Sequence, residues 1–400
     1  MLVAALLFVP RVAAAQTTPP DALTLEAALA RALQANQVLV AARLERPVAI
    51  AGVDLAGERL NPDVVYEAAK ETPRQSIGAT FPIELGGKRR RRVGLAEAGV
   101  ASADAQFAQV AFDVRSLVRA AYFALVGANR RVTLAEDLRG LAARAHDAAQ
   151  ARFTAGDVPR IEVIQTELAQ IEADNEATAE RGEALALTAE LNLLLGQAPS
   201  TPLTLVDDLT AGALPPVADA VALAEQSSVT LALIDRKLDE QSARIELART
   251  LRTPDVTAGA TYTFDAAPEF DHGWRALVGV TVPLLTRHAA AVVLENAALA
   301  RLQAERAAEA ASLRAAVTAA LARASAARER LTRSVADSVP RADEVDRMAQ
   351  DSYRSGQTGL VPLLQALQFT RDVRRRGLDA GLDYQRALAD LERAIGAPLK

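Results

Sequence analysis

The side chains able to carry chemistry are few and scattered. His146, His272 and His288 fall in a long helical pattern, a loop and a strand–helix junction, there is no cysteine, and Met348 is the only methionine after Met1. Nucleophilic catalysis needs a hydroxyl or thiol beside a base, metal binding needs ligands at recurring spacings, and phosphate binding needs a glycine-rich loop. None of these patterns occurs. The chain therefore reads as a non-enzyme with no cofactor and no metal site, its histidines lying on a surface or an interface. A net charge of −5 supplies no basic face for nucleic acid.

Two other clusters stand out. Lys88, Arg89, Arg90, Arg91 and Arg92 place five cations at the expected start of a helix, where the macrodipole disfavours positive charge. Lipid headgroups beside the run would offset that cost; a solvated charge run is the alternative. The second cluster is a pair of matched turns, Arg152 and Phe153 with Gly156, and Tyr353 and Arg354 with Gly356. Each presents an aromatic ring, a cation and a turn glycine together, which suits either a docking surface or an internal staple of the turn.

The turns match because the chain repeats itself. Arg152 to Gln165 aligns with Ser352 to Gln365, and Gly196 with Gly396, at one offset of 200 residues. Upstream, Asn61-Pro62-Asp63-Val64 answers Thr253-Pro254-Asp255-Val256, and Phe81-Pro82-Ile83 answers Val282-Pro283-Leu284. The order predicts two structural units, a first repeat over 16–205 and a second over 206–400. Each holds strands (about 63–85 and 256–284) followed by a helical hairpin (about 88–196 and 288–396).

Composition sets the kind of packing. Half the residues are apolar but only 4% are aromatic, and alanine makes up the difference, which favours long, closely paired helices. Thr24 can cap a first helix, Asn36 ends it, and a second helix is expected to kink at Pro47 and stop at Asn61-Pro62. Alternation then has a period of two. Ile77, Ala79, Phe81 and Ile83 share one face, and Val256, Ala258, Ala260, Tyr262 and Phe264 share another, in runs of the length that crosses an outer membrane. A soluble hairpin packed on one side is the alternative.

No proline interrupts 88–153, about 100 Å of helix at 1.5 Å per residue, whereas Pro340 should kink the matching helix of the second repeat. The two shorter helices of each repeat, stacked end to end, have almost the length of the long one. Four strands cannot close a barrel, but three chains would supply twelve. At the N-terminus a short apolar run leads to Ala13-Ala14-Ala15-Gln16, read as a signal peptide over residues 1–15. No run approaches 18 uninterrupted apolar residues, so no transmembrane helix is expected.

This order of strands, long helix, glycine turn and returning helix, with Phe81 to Arg89 and Tyr353 to Gln357, resembles the TolC-like outer-membrane factors of bacterial efflux systems. Glu84-Leu85-Gly86-Gly87-Lys88-Arg89 is most similar to the CzcC-like cation-efflux branch. The resemblance implies a mainly helical fold with a small β part, and a homotrimer with a twelve-stranded outer-membrane β-barrel and a periplasmic α-barrel. Its implied partners are outer-membrane lipid, a periplasmic adaptor and an inner-membrane pump of the resistance–nodulation–division type. It further implies passive conduction of metal cations, with the turns Arg152, Phe153, Gly156, Tyr353, Arg354 and Gly356 docking the adaptor. Relatives carry carboxylates past the second turn where this chain has Pro362 and Gln365. Its gate is therefore expected to rest on Leu363 and Leu364, with Glu162 the one acid at the matching place. A drug-efflux or secretion conduit of the same fold, or a periplasmic coiled-coil adaptor, are the competing readings.

Overall fold

A computed structural model describes residues 22–71, 74–210, 212–264 and 271–397. The expected signal peptide lies outside these residues, as does the middle of the turn before Gln75. Helix α1 (Leu25–Ala35) is capped by Thr24 Oγ1, which accepts from the Ala27 N–H. Asn36 ends α1 and caps α2 (Gln37–Gly57), its side chain accepting from the N–H groups of Val38 and Leu39. Helix α2 continues through Pro47.

Helix α3 (Lys88–Ala155) is one unbroken run of 68 residues. It packs along α2 at one end and along α4 (Arg160–Leu194) at the other, so the two shorter helices stack end to end beside the long one. Asn36 Nδ2 closes the joint by donating to Leu194 O at 2.9 Å. Gly196, at φ 68°, lies against the Ala35 carbonyl and leaves no room for a Cβ. Leu39, Val118, Tyr122, Leu125 and Leu191 form the core beneath.

The second repeat rebuilds this joint with different residues. Helices α5 (Val217–Ser227) and α6 (Val229–Thr250) divide at Ser228, and the Ser227 hydroxyl donates to Ile395 O at 2.8 Å at the end of α9 (Leu360–Ile395). Gly396, at φ 79°, takes the place of Gly196. One difference from the expectation concerns membrane helices. A window within Val217–Thr250 has a mean hydropathy of 1.4, enough by length and composition for a span. The break at Ser228 divides that segment into two helices.

The long helix of the second repeat is not continuous. Helix α7 (Ala289–Arg333) widens into a π-turn (Ser334–Ser338) before α8 (Val339–Arg354). Pro340 has no N–H, and its ring would clash with the carbonyl one turn back, so the backbone widens where that bond would have formed. The irregularity expected at Pro340 thus appears one turn earlier.

The strands β1 (Asp63–Ala68), β2 (Gln75–Ile83), β3 (Asp255–Phe264) and β4 (Gly273–Thr281) form one antiparallel sheet in that order. The two hairpins join through β2 and β3, with Ile77 opposite Tyr262, Phe81 opposite Ala258 and Ile83 opposite Val256. Val64 and Tyr66 extend this face onto β1, and Trp274, Val278 and Val280 extend it onto β4. Most of the large side chains on this apolar face are exposed, Val256, Tyr262 and Phe264 of β3 being half-buried, and Tyr262 packs on Trp274 with ring centroids 5.1 Å apart.

A strap over 204–210, with Gly212 beyond it, ties the repeats together. Leu23 N–H donates to Thr204 O, and Leu25 N–H donates to Asp207 Oδ2, both at 2.7 Å. The Tyr122 hydroxyl bonds Leu23 O at 2.8 Å and Asp207 Oδ2 at 2.6 Å, while the Tyr384 hydroxyl meets Gly212. Burial, then the bond with Asp207, raises the Tyr122 pKa far above its ordinary value of 10.0. The strap is therefore fully stable below pH 10 and loses stability above it, where the unfolded tyrosine ionises and the folded one does not. Tyr122→Phe should cost about 1–3 kcal/mol. Thermal melting of the variant between neutral and alkaline pH should start lower than wild type and fall less steeply with pH.

Candidate functional site

The two helical tips share one turn geometry. At the end of α3, Gly156 takes φ 83°, its N–H donates to Phe153 O at 3.0 Å, and the Asp157 N–H donates to Arg152 O at 2.9 Å. At the end of α8, Gly356 takes φ 74°, its N–H donates to Tyr353 O at 3.1 Å, and the Gln357 N–H donates to Ser352 O at 2.9 Å. This pair of bonds satisfies the last carbonyls of each helix and requires a left-handed residue at the turn.

The matched aromatics behave differently. Phe153 is 38% exposed, whereas Tyr353 is 1% exposed and packs with Leu360, Leu363, Leu364 and Leu367, and with Ala145 and Ala148 of α3. Tyr353 is thus an internal staple, not an exposed docking residue. Leu363 is 2% exposed in the same cluster. That corrects the expectation that it lines a channel, because its helical phase turns it into the chain's own core. Pro362 and Gln365 are exposed, and Leu364 is half-buried.

Tyr353 also links the tips. The Arg152 guanidinium lies over its ring at 5.0 Å from the centroid. Burial, then the charge of Glu162, raises the Tyr353 hydroxyl above its usual pKa, with Arg152 opposing. Glu162, in the first turn of α4, is half-buried beside this pair. Arg152, Glu162 and Tyr353 thus gather at one point, bringing together residues of both repeats. Sequence reasoning named all three but had no signal that they meet.

The cation run is held mostly by the protein itself. Lys88 is buried, its Nζ 2.6 Å from Asp255 Oδ2 and 2.9 Å from Thr253 O. Arg91 pairs with Glu246 at 3.3 Å, Arg92 forms a two-pronged pair with Glu84, and Arg89 donates to Gly57 O. Among the described residues of the run, only Arg90 has neither an ion pair nor a hydrogen bond from its side chain. Lys88 therefore faces β3 instead of lipid. Asp255 opens that strand, and an acid there was the one sequence clue.

The sequence profile of the outer membrane efflux protein family matches residues 28–197 and 220–397. The chain belongs to that family. It is an outer-membrane efflux protein and not an enzyme. It is 29% identical over 265 residues, 66% of this chain, to the cobalt-zinc-cadmium resistance protein CzcC of Cupriavidus metallidurans, and the match spans 63% of that relative's length. Its fold is that of solved channels. CusC superposes with a TM-score of 0.77 at 15% identity, over 94% of this chain and 93% of CusC. VceC of Vibrio cholerae superposes with a TM-score of 0.75 at 15% identity, over 94% of this chain and 97% of VceC.

In this efflux protein the histidines are far apart along the chain. His146 Nδ1 lies 3.3 Å from Thr166 Oγ1 inside the first hairpin, and His288 caps α7 with φ 49°. Among the described residues, no three His, Asp or Glu gather as a metal site.

A Cβ at Gly156 or Gly356 would meet no atom within 4 Å, so substitution there is opposed only by backbone conformation. Gly356→Val should cost about 1–2 kcal/mol at the tip, and Gly356→Asn much less, because asparagine tolerates the left-handed region. Proteolysis at the tip, alongside the amount of protein in the outer membrane, checks this. The valine variant should be cut faster with membrane insertion unchanged.

Proposed function

We propose that three copies of this chain close a twelve-stranded barrel in the outer membrane and continue it into the periplasm as a helical tube. Cargo delivered by an inner-membrane pump of the resistance–nodulation–division type, through a periplasmic adaptor, then passes outward without being chemically changed. The observation that carries this reading is the sheet, whose apolar face is exposed and whose edges β1 and β4 are unpaired, set at one end of columns about 100 Å long. A periplasmic adaptor would have no use for such a face.

The likeness to a cobalt-zinc-cadmium resistance protein favours divalent metal cations as cargo. A conduit with no gathered soft ligands suits them, because it must release what it carries. Phe153 and Arg354, exposed at the two tips, are the side chains offered to the adaptor, with Gly156 and Gly356 setting the turns. Arg90 is the cation left for lipid headgroups.

The gate is the cluster of Arg152, Tyr353 and Glu162, which holds the first hairpin against the second. With Glu162 half-buried beside Arg152 and Tyr353, a ring of open carboxylates is not expected, so divalent cations should have little effect on conductance. In planar bilayers the resting conductance should be small, and Arg152→Ala combined with Glu162→Gln should raise it severalfold. Strong divalent block, relieved by Glu162→Gln alone, would instead show an acidic ring.

Fractionation of cells followed by native mass analysis tests the assembly, with outer-membrane trimers expected. A host lacking the protein should become more sensitive to cobalt, zinc and cadmium. Unchanged sensitivity to these metals, together with a changed response to organic toxins, would move the cargo to the drug class.

A further inference from the structure

A hollow of about 760 Å³ lies where the two repeats meet beside the π-turn. Its walls are α3 of the first repeat, the strap, the end of α7 with the π-turn, and α9. Two glycines of α9 give it its shape. A Cβ at Gly377 would meet Ser334 Oγ and Val339 Cγ2, each at 3.1 Å, and one at Gly381 would meet Leu209 Cβ at 3.0 Å, so the π-turn and the strap both seat close against the helix backbone. These two contacts, together with α3, bound the hollow.

The lining combines an apolar body with a few charges. Leu134, Leu209, Leu331 and Leu378 supply the body, and Arg130, Asp137, Asp208 and Arg374 are the charged side chains. Their pairing is uneven. Arg130 meets Asp208 at 3.2 Å and Arg374 Nε donates to Asp343 at 2.8 Å, whereas Asp137 has neither an ion pair nor a hydrogen bond from its side chain among the described residues. One negative charge is left unanswered. Thr133 and Thr332 add to it, because their hydroxyl protons go to Asn129 O and Arg328 O of their own helices and leave only lone pairs for anything in the hollow.

Sites for small organic molecules have this size and make-up, an apolar body with a few polar groups that select orientation and charge. Apolar surface left open to water gains by being covered. A metal ion would find too few ligands, since no three His, Asp or Glu gather among the described residues. From the hollow, its glycine contacts and the unanswered Asp137 we infer that this chain binds an apolar organic cation, a molecule with a bulky hydrocarbon body and one positive charge, between its two hairpins at the π-turn. The bound molecule touches α3 of the first repeat and the π-turn and α9 of the second, so it braces the point at which the column of α7 and α8 can bend. The site is complete within one chain. It therefore stands or falls apart from the trimeric reading and from the cargo the tube conducts.

Tetraphenylphosphonium and tetraphenylborate have nearly the same shape and opposite charge, which separates the fit of the hollow from its charge. With the protein in lipid nanodiscs, equilibrium dialysis referred to empty discs should show saturable binding of the phosphonium, at least about tenfold tighter than any saturable binding of the borate. Asp137→Asn should weaken phosphonium binding by about fivefold or more. Val335→Trp, at an exposed position of the lining, should abolish it. In the wild type the phosphonium should also slow amide hydrogen exchange across Ser334–Ser338 severalfold. Binding that survives Val335→Trp, or that leaves exchange at the π-turn unchanged, overturns the site. Equal or tighter binding of the borate, or full affinity in Asp137→Asn, overturns the preference for a cation, and no saturable binding of either ion overturns the inference as a whole.

Discussion

Hydrocarbon offers nothing to an unpaired N–H or C=O, and that constraint governs the membrane end of this protein. A four-stranded antiparallel sheet has two edges, and here both outer strands present them together with an exposed apolar face. At this end the chain is not a finished folding unit. The helical columns answer the same constraint from the other side. Each must begin at the membrane boundary in line with the strand before it, which is why the β2–α3 and β4–α7 junctions both use a left-handed residue as the cap.

Away from the membrane, length is obtained by splicing. One long helix serves as a splint for two shorter ones, and each joint is closed by a side chain bonding a terminal carbonyl and by a glycine too close to its neighbour to carry a Cβ. The repeats then diverge in stiffness. Helix α3 runs unbroken, while α7 and α8 are separated by the π-turn before Pro340. A continuous hydrogen-bond ladder transmits bending along its whole length, and a π-turn localises it. The second hairpin is therefore the one with a defined place to flex.

Much of this was legible in the sequence because it depends on local rules. The change from helical to strand period located all four strands, and glycines required at positive φ located both tips and both joints. Strand β4 shows the limit. The strands of the second repeat were expected to run to about 284, but β4 is Gly273–Thr281, since the stretch beyond has no partner within the chain. Leu363 shows another. Its apolar character was plain, but whether it faced a lumen or the core depended on how α9 is rotated against α3, which no local pattern records. The same holds for Lys88, whose charge read as a lipid contact until Asp255 came beside it from 167 residues away.

The cation–ring part of the contact between the tips is small in energy beside the helices it joins, and Ala145 and Ala148 of α3, packed on the Tyr353 cluster, add apolar contact to it. A cation over an aromatic face contributes about 0.5–2 kcal/mol depending on desolvation. Unwinding even one turn of α3 or α9 would break several backbone bonds and expose the leucines packed on Tyr353, at greater cost. A load applied at the exposed Phe153 or Arg354 will therefore part Arg152 from Tyr353 before it unwinds either helix. Movement at this end is thus a separation of intact hairpins. Because Tyr353 remains packed on its own leucines when Arg152 leaves, the second tip keeps its shape and the contact can close again without refolding.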